Sequence, residues 1–332
     1  MTEKVSTKLL VILVLSIVLS GCGLKYTIND PMLSNLHYDQ KEMPMTKLAV
    51  VDQRKGDDAV FMMGKLGLGA TMSDVSHLIK LENIEDPVIY LALNLEKELV
   101  QRGIPTRLLV AADGSDSPVL KVEKYQILNF RASGFSPWEA CHIFSGTLVF
   151  GERQTPIKAF FYNGKTPVWS MNELSEPCFN VPSSILIKDI ASKINNALFK
   201  FSASDSAIEK LSAEIESEIP NNVPGGPFWK VLELGYSNNP KAAAILNRYA
   251  SQGDPFFKSC VLSAIGILGS EAQLDFLKQQ YNTGGYNARY MAVKAIGDIG
   301  TPEALNFIRE IKTADIYEKE GGLKTSVDLY VP

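Results

Sequence analysis

Four cysteines, three histidines and scattered carboxylates are the side chains of this 332-residue chain with chemistry to offer. Zinc would need closely spaced soft ligands. Cys22, Cys141, Cys178 and Cys260 form no C-x-x-C, and His37, His77 and His142 stand far apart. A serine nucleophile would need an elbow such as G-x-S-x-G, which does not occur. Asp57 and Asp58 are adjacent acids, and such loop acids are more often solvated than catalytic. Gly64, Gly67 and Gly69 suggest a phosphate loop, but their spacing matches neither G-x-x-x-x-G-K-[ST] nor a G-x-G-x-x-G joining strand to helix. A flexible loop is expected there. No set of residues forms a reaction centre, so neither an enzyme nor a cofactor is expected.

Cys22 has a different chemistry. Lys4 and Lys8 precede an apolar run, Leu9–Leu19, broken only by Ser16. This is a signal-peptide pattern, too short for the roughly 20 apolar residues of a comfortable membrane span. An uncleaved anchor helix is the other reading. The run ends in Leu19-Ser20-Gly21-Cys22, which resembles the bacterial lipobox. That resemblance implies a diacylglyceryl thioether on Cys22, cleavage before it and acylation of the new N-terminus. Two or more acyl chains hold firmly where one binds only marginally. Gly23, rather than Asp, implies by analogy with Gram-negative sorting a place on the outer membrane, facing the periplasm. In that oxidising compartment Cys141 and Cys178, which flank strands of one domain, are the expected disulfide; two separate thiols is the alternative. Cys260 lies in a helical apolar pattern and reads as a small buried residue.

Removing residues 1–21 takes Lys4, Lys8 and Glu3 with it and moves the net charge from −4 to −5. No long basic run exists, so nucleic acid is not an expected partner. The remaining length suits two domains. Residues 22–45, with Pro31 and Pro44, read as a tether, and an α+β domain is expected over 46–202. Its first strand is "KLAVVDQR" (47–54). A helix follows over 87–102, with Asp86 as N-cap, Pro87 at the first position, a Val88, Leu91, Leu95, Leu99 stripe and Gly103 as stop. Strand patterns follow at 106–110, 119–128, 143–150, 157–162 and 166–170, with Asn163-Gly164 as a hairpin turn. Ile187, Ile190, Ile194 and Leu198 mark a second helix. The sum is an α+β sandwich, a mostly antiparallel sheet covered by two helices. The lipobox, "VVDQR", a glycine-bearing loop, a helix ending "LVQRG" and a strand meander resemble the YajG-type lipoproteins. The layout is also similar to the TolB N-terminal fold of envelope lipoproteins. That resemblance implies no catalytic residues.

A helical linker is expected over 203–226, and from 227 the chain repeats. Val261–Leu277 aligns with Ala292–Ile308 at an offset of 31 residues: Ala264, Ile265, Gly266 and Gly269 fall on Ala295, Ile296, Gly297 and Gly300. Leu234, Gly235 and Leu246 mark a degraded earlier copy. Each unit reads as two helices, with Ser270 and Thr301 as N-caps of the second. These residues, 227–313, resemble short HEAT repeats of the phycobilin-lyase-like kind, an all-α solenoid in which each hairpin buries its stripe on the next. The tail, 314–332, ends in a strand-like "TSVDLYVP". On the second helices the register aligns Lys278 with Arg309, after Asn247, and Arg248 with Gln279 and Glu310, two polar rows expected to face outward and meet a protein partner. A lipid-anchored adaptor binding other envelope proteins is therefore the expected function. A carrier of a small ligand or lipid is the alternative and would need a cavity. The "PNNVPGG" linker (220–226) predicts that residues 46–201 fold without 227–332.

Overall fold

The computed structural model of the protein describes residues 24–39, 43–68, 71–74, 79–110, 117–131, 136–166, 168, 173–219 and 226–332. The expected signal segment, Cys22, Gly23 and most of the expected 220–226 linker lie outside the described residues.

A seven-stranded open sheet forms the first half. Strands β2 (Thr46–Asp52) and β6 (Thr106–Leu109) are parallel, and β2 also runs parallel to the start of β7 (Val119–Arg131). Leu48, Ala49 and Val50 are all buried, as suits a strand covered on both faces. Beyond β2, β3 (Met62–Leu68) pairs in parallel with the end of β7, and β4 (Thr71–Asp74) folds back on it. The glycine-bearing segment is thus a strand pair, where a loop was expected. On the other side β7, β8 (Trp138–Phe150) and β9 (Arg153–Thr166) form a long antiparallel meander. The sheet is therefore mixed: three strand pairings are parallel and three antiparallel. Helices α1 (Pro87–Gln101) and α2 (Val181–Leu198) pack on each other and on the sheet. The Asp86 carboxylate caps α1 by accepting from the Val88 and Ile89 amides, and Gly103, at φ +90°, ends it.

Asn163-Gly164 is not a turn. It lies inside β9, and the β8–β9 turn is Gly151-Glu152, with Gly151 at φ +58°. Gly164 is small for another reason. A Cβ there would lie 2.4 Å from the Tyr286 ring and 2.9 Å from the Asn287 side chain, so close approach of the helical region requires glycine.

The second half is helical: α3 (Asp205–Glu218), α4 (Phe228–Tyr236), α5 (Lys241–Tyr249), α6 (Pro255–Leu268), α7 (Leu274–Thr283), α8 (Tyr286–Ile299), α9 (Pro302–Lys312), α10 (Asp315–Lys319) and α11 (Gly321–Tyr330). Helices α4, α6, α8 and α11 stack in one row, with α5, α7 and α9 alongside. The 31-residue period has a direct packing cause. A Cβ on Gly235 would lie 2.5 Å from the Ala264 Cα; one on Gly266, 2.3 Å from the Ala295 Cα. Each glycine lets the next helix of the row touch its backbone. Gly297 keeps the period but meets the Tyr330 ring instead, which closes the row. The tail is therefore helix α11 and the preceding short α10, not a strand. Helix α3, read as linker, packs on α4 and α5.

Two further expectations change. Residues 24–39 are no loose tether: β1 (Leu24–Tyr26) pairs in parallel with β5 (Ile79–Leu81), and Tyr26, Ile28, Leu36 and Tyr38 are buried. Nor do the halves have separate cores. One continuous apolar cluster runs from Tyr26 through the sheet to Tyr330.

Candidate functional site

Two polar junctions tie the halves together. The first follows from two helical acid–base pairs at i,i+4 spacing. On α2, Asp189 and Lys193 face the α8 residues Lys294 and Asp298. Lys193 Nζ lies 3.0 Å from Asp189 and 2.7 Å from Asp298, and Lys294 Nζ lies 2.9 Å from Asp189 and 2.6 Å from Asp298. The four form a charge-neutral ring, with Lys294 wholly buried and Lys193 only slightly exposed. Tyr330 Oη donates to Asp298 at 2.6 Å, and the Lys193 ammonium also donates to the Lys158 carbonyl on β9. Burial alone would pull the Lys294 pKa down; Asp189 and Asp298 outweigh it and hold it above the usual lysine value. Burial alone would raise Asp298; Lys193 and Lys294 outweigh it and hold its carboxyl below the usual range. Each of these two thus favours the charged form of the other. The ring is a clamp between α2 and α8.

The second junction centres on Arg102, fully buried at the end of α1. Its guanidinium donates to Glu98 at 2.6 Å, to Tyr38 Oη at 3.1 Å and to the Lys188 carbonyl at 3.0 Å, and lies 5.0 Å from the centre of the Tyr236 ring. Glu98 also accepts from the Ser34 amide, and Glu233 on α4 accepts from the Asn35 amide at 2.8 Å. The arginine thus joins the N-terminal strap, α1, α2 and the helical array. Burial leads in raising the Glu233 pKa and in lowering that of Lys188, whose Nζ lies 4.5 Å from the Trp229 ring centre. Beside this junction lies an open cleft of about 690 Å³, lined by strap residues 35–39 and by Ala207, Lys210, Leu211, Glu214, Lys230 and Glu233. Its lysines and glutamates suit a polar ligand, although Lys230 already pairs with Glu214 and Glu218.

The expected site residues are placed as follows. Cys22 lies outside the described residues. Cys141, Cys178 and Cys260 are buried free thiols, and the expected Cys141–Cys178 disulfide is absent. The reason is the strand pleat. His142, the neighbour of Cys141 on β8, donates from Nε2 to the Cys178 carbonyl at 2.9 Å, so Cys141 points to the opposite face. Burial pushes the Cys178 thiol up to about 12 and Cys141 further, so neither forms a thiolate readily. Burial also pulls His142 down to about 4. His37 is exposed, and His77 lies outside the described residues.

Of the polar rows, Gln279, Arg309 and Glu310 are exposed on α7 and α9. Arg248 is exposed as well but pairs with α3, 3.2 Å from Glu216 and bonded to Ser212, and the partly buried Lys278 bridges to Glu303 of α9 at 2.6 Å. Those two hold neighbouring helices together. The residues that sequence reading missed, Arg102 and the four-charge ring, carried a signal in their i,i+4 acid–base spacing.

No family model matches the chain, and no curated protein matches it. A solved structure described as "Crystal structure of uncharacterized protein" is similar over 49% of this chain and 97% of its own, at 14% identity and a TM-score of 0.29. So slight a likeness carries no argument about fold or function.

Proposed function

We propose that the protein is a lipid-anchored scaffold of a bacterial envelope, held by Cys22 to the outer membrane on its periplasmic side, which presents its helical array to another envelope protein. In finer fold terms we read the sheet half as YajG- or TolB-like and the array as HEAT-like. The observation that supports the scaffold reading most is the glycine-seated stack. Gly235, Gly266 and Gly297 commit the inner helices to one another and leave Gln279, Arg309 and Glu310 in solvent along the outer row. No helix among the described residues is long and apolar enough to cross a membrane, so attachment in this reading rests on the lipid. A photo-crosslinking residue at 279, 309 or 310 in the full chain is expected to trap one discrete partner, and one at exposed Glu152 is not. Equal trapping at all four positions refutes the outer row as the partner surface. The 690 Å³ cleft favours a second reading, a carrier of a small polar ligand. Selective loss of ligand binding on Lys210→Ala would decide for it.

A further inference from the structure

Eight large hydrophobic side chains are exposed among the described residues, and three stand on one helix: Ile89, Leu93 and Val100 of α1, exposed by 42%, 56% and 50%. At about 100° per residue they fall within an arc of about 40°. The stripe has defined borders. On one side Glu96 accepts from the Leu108 amide of edge strand β6 at 2.7 Å. On the other, Lys97 pairs with Asp30 of the strap at 2.9 Å.

The strap runs along α1 and leads back to the anchor. Asn83 bonds Ile28, Lys97 pairs with Asp30, Glu98 takes the Ser34 amide and Arg102 bonds Tyr38. At its start Leu24 is paired with Ile79. Cys22 is two residues earlier, so its Cα lies within about 7 Å of that of Leu24 at full extension. Strand β5 leads into α1 through a short turn, and Leu93 lies about 9 Å along the helix from Pro87. A lipid on Cys22 therefore holds a leaflet surface within reach of this stripe.

We propose that the Ile89, Leu93, Val100 stripe of α1 docks into the interfacial layer of the phospholipid leaflet that holds the Cys22 lipid, and so sets how the body lies on the membrane. This rests on the lipid-anchor reading above. The size of the patch selects a membrane over a second copy of the chain. Three half-exposed aliphatic side chains offer on the order of 250 Å², against roughly 800 Å² per partner in a stable protein interface. The neighbouring strand edge is also blunted by Glu96. So small a patch suits a body already tethered, in which the acyl chains supply most of the affinity and the stripe supplies orientation. Lys97, between Leu93 and Val100 in sequence, extends its ammonium towards Asp30 and water, as lysines at an interface do.

The test uses the full chain on phosphatidylethanolamine–phosphatidylglycerol vesicles, with a polarity-sensitive fluorophore at Leu93→Cys or at Phe150→Cys, an exposed site on the far hairpin. The buried native thiols stay unlabelled. The label at 93 is expected to shift to the blue and be quenched by lipids carrying a nitroxide near the headgroup; the label at 150 is expected to do neither. Mass spectrometry of the N-terminal peptide reports the lipid separately. Lipid on Cys22 with 93 as wet as 150 overturns the docking and leaves the anchor standing. In the lipidated chain with the label moved to Ile89→Cys, Leu93→Glu is expected to reverse the blue shift and the quenching. Persistence of both overturns the docking. So does excitation transfer between labels at 93 on two chains, which would assign the stripe to a dimer.

Discussion

Asp298→Ala is the sharpest test of the clamp between α2 and α8. It removes two ion contacts, at 2.7 and 2.6 Å, and the acceptor of the Tyr330 hydroxyl. Lys193 and Lys294 then share Asp189 alone, which leaves one buried positive charge in excess. Lys193 is partly open and can turn to water, but Lys294 is fully buried and cannot. Removing one partner of such a buried pair costs about 3–5 kcal/mol. The pH dependence gives a second, sign-based readout. In the native protein Lys294 has its pKa raised, so its contribution is complete below the ordinary lysine value and fades as pH rises through the raised one. In Asp298→Ala burial dominates, the pKa falls below that of the unfolded chain, and stability rises with pH between about 8 and 10. Urea unfolding measures both, with Trp138 reporting the sheet and Trp229 the array. The double variant Asp298→Ala/Lys294→Met restores neutrality and is expected to recover most of the loss. A cost below about 1 kcal/mol, or slopes of the same sign above pH 8, would refute the clamp.

Other consequences can be checked in the same way. His142, held near pKa 4 against an ordinary 6.5, stays neutral in the folded state while the unfolded chain takes up a proton. Stability is therefore expected to fall by about 2 kcal/mol from pH 7 to pH 5, and His142→Gln should flatten that slope. Gly266→Ala forces a Cβ against the Ala295 backbone and should cost about 1–3 kcal/mol in thermal unfolding, whereas Gly269→Ala is strained only by its φ of +69°. Thiol titration should find Cys141, Cys178 and Cys260 unreactive in the native protein and all three reactive in denaturant without reductant; one residual thiol would mean a disulfide had formed. Cys22→Ala should block incorporation of a fatty-acid analogue, and equal labelling of both proteins would remove the lipid anchor.

Much of the fold was legible where one short-range rule decides. The Asp86-Pro87 start and Gly103 stop bound α1 because capping is local. The 31-residue repeat showed because Gly235 and Gly266 each meet the matching alanine of the next unit. What failed depends on a second partner for an element already satisfied. Helix α2 was read as having one apolar face, but Ser183, Lys188, Asp189, Ser192 and Asn195 are buried too, because α4, α6 and α8 cover its other side. Asn163-Gly164 has the sequence of a turn, yet distant Tyr286 and Asn287 set the need for glycine. Residues 24–39 look like polar tether, and distant partners, strand β5 and the buried Glu98, Arg102 and Glu233 among them, make them a strap. In the outer polar rows, Arg248 and Lys278 have ion-pair partners one helix away that their own register does not show.

The outer edge of β9 has a consequence for how the chain is made. Asn287 accepts from the Gly164 amide at 3.0 Å, Tyr286 donates to the Gly164 carbonyl, and Lys193 holds the Lys158 carbonyl. The Gly164 partners lie 123 and 122 residues downstream. A chain that crosses the membrane N-terminus first, as the lipid-anchor reading requires, delivers the strand before its cover. Through that interval the emerging chain offers an unpaired edge, the surface on which strands of neighbouring chains add. Chains interrupted before α8 keep that edge for good. A chaperone that occupies β9 until Tyr286 and Asn287 arrive would therefore raise the yield of folded protein more than one acting on the helical array.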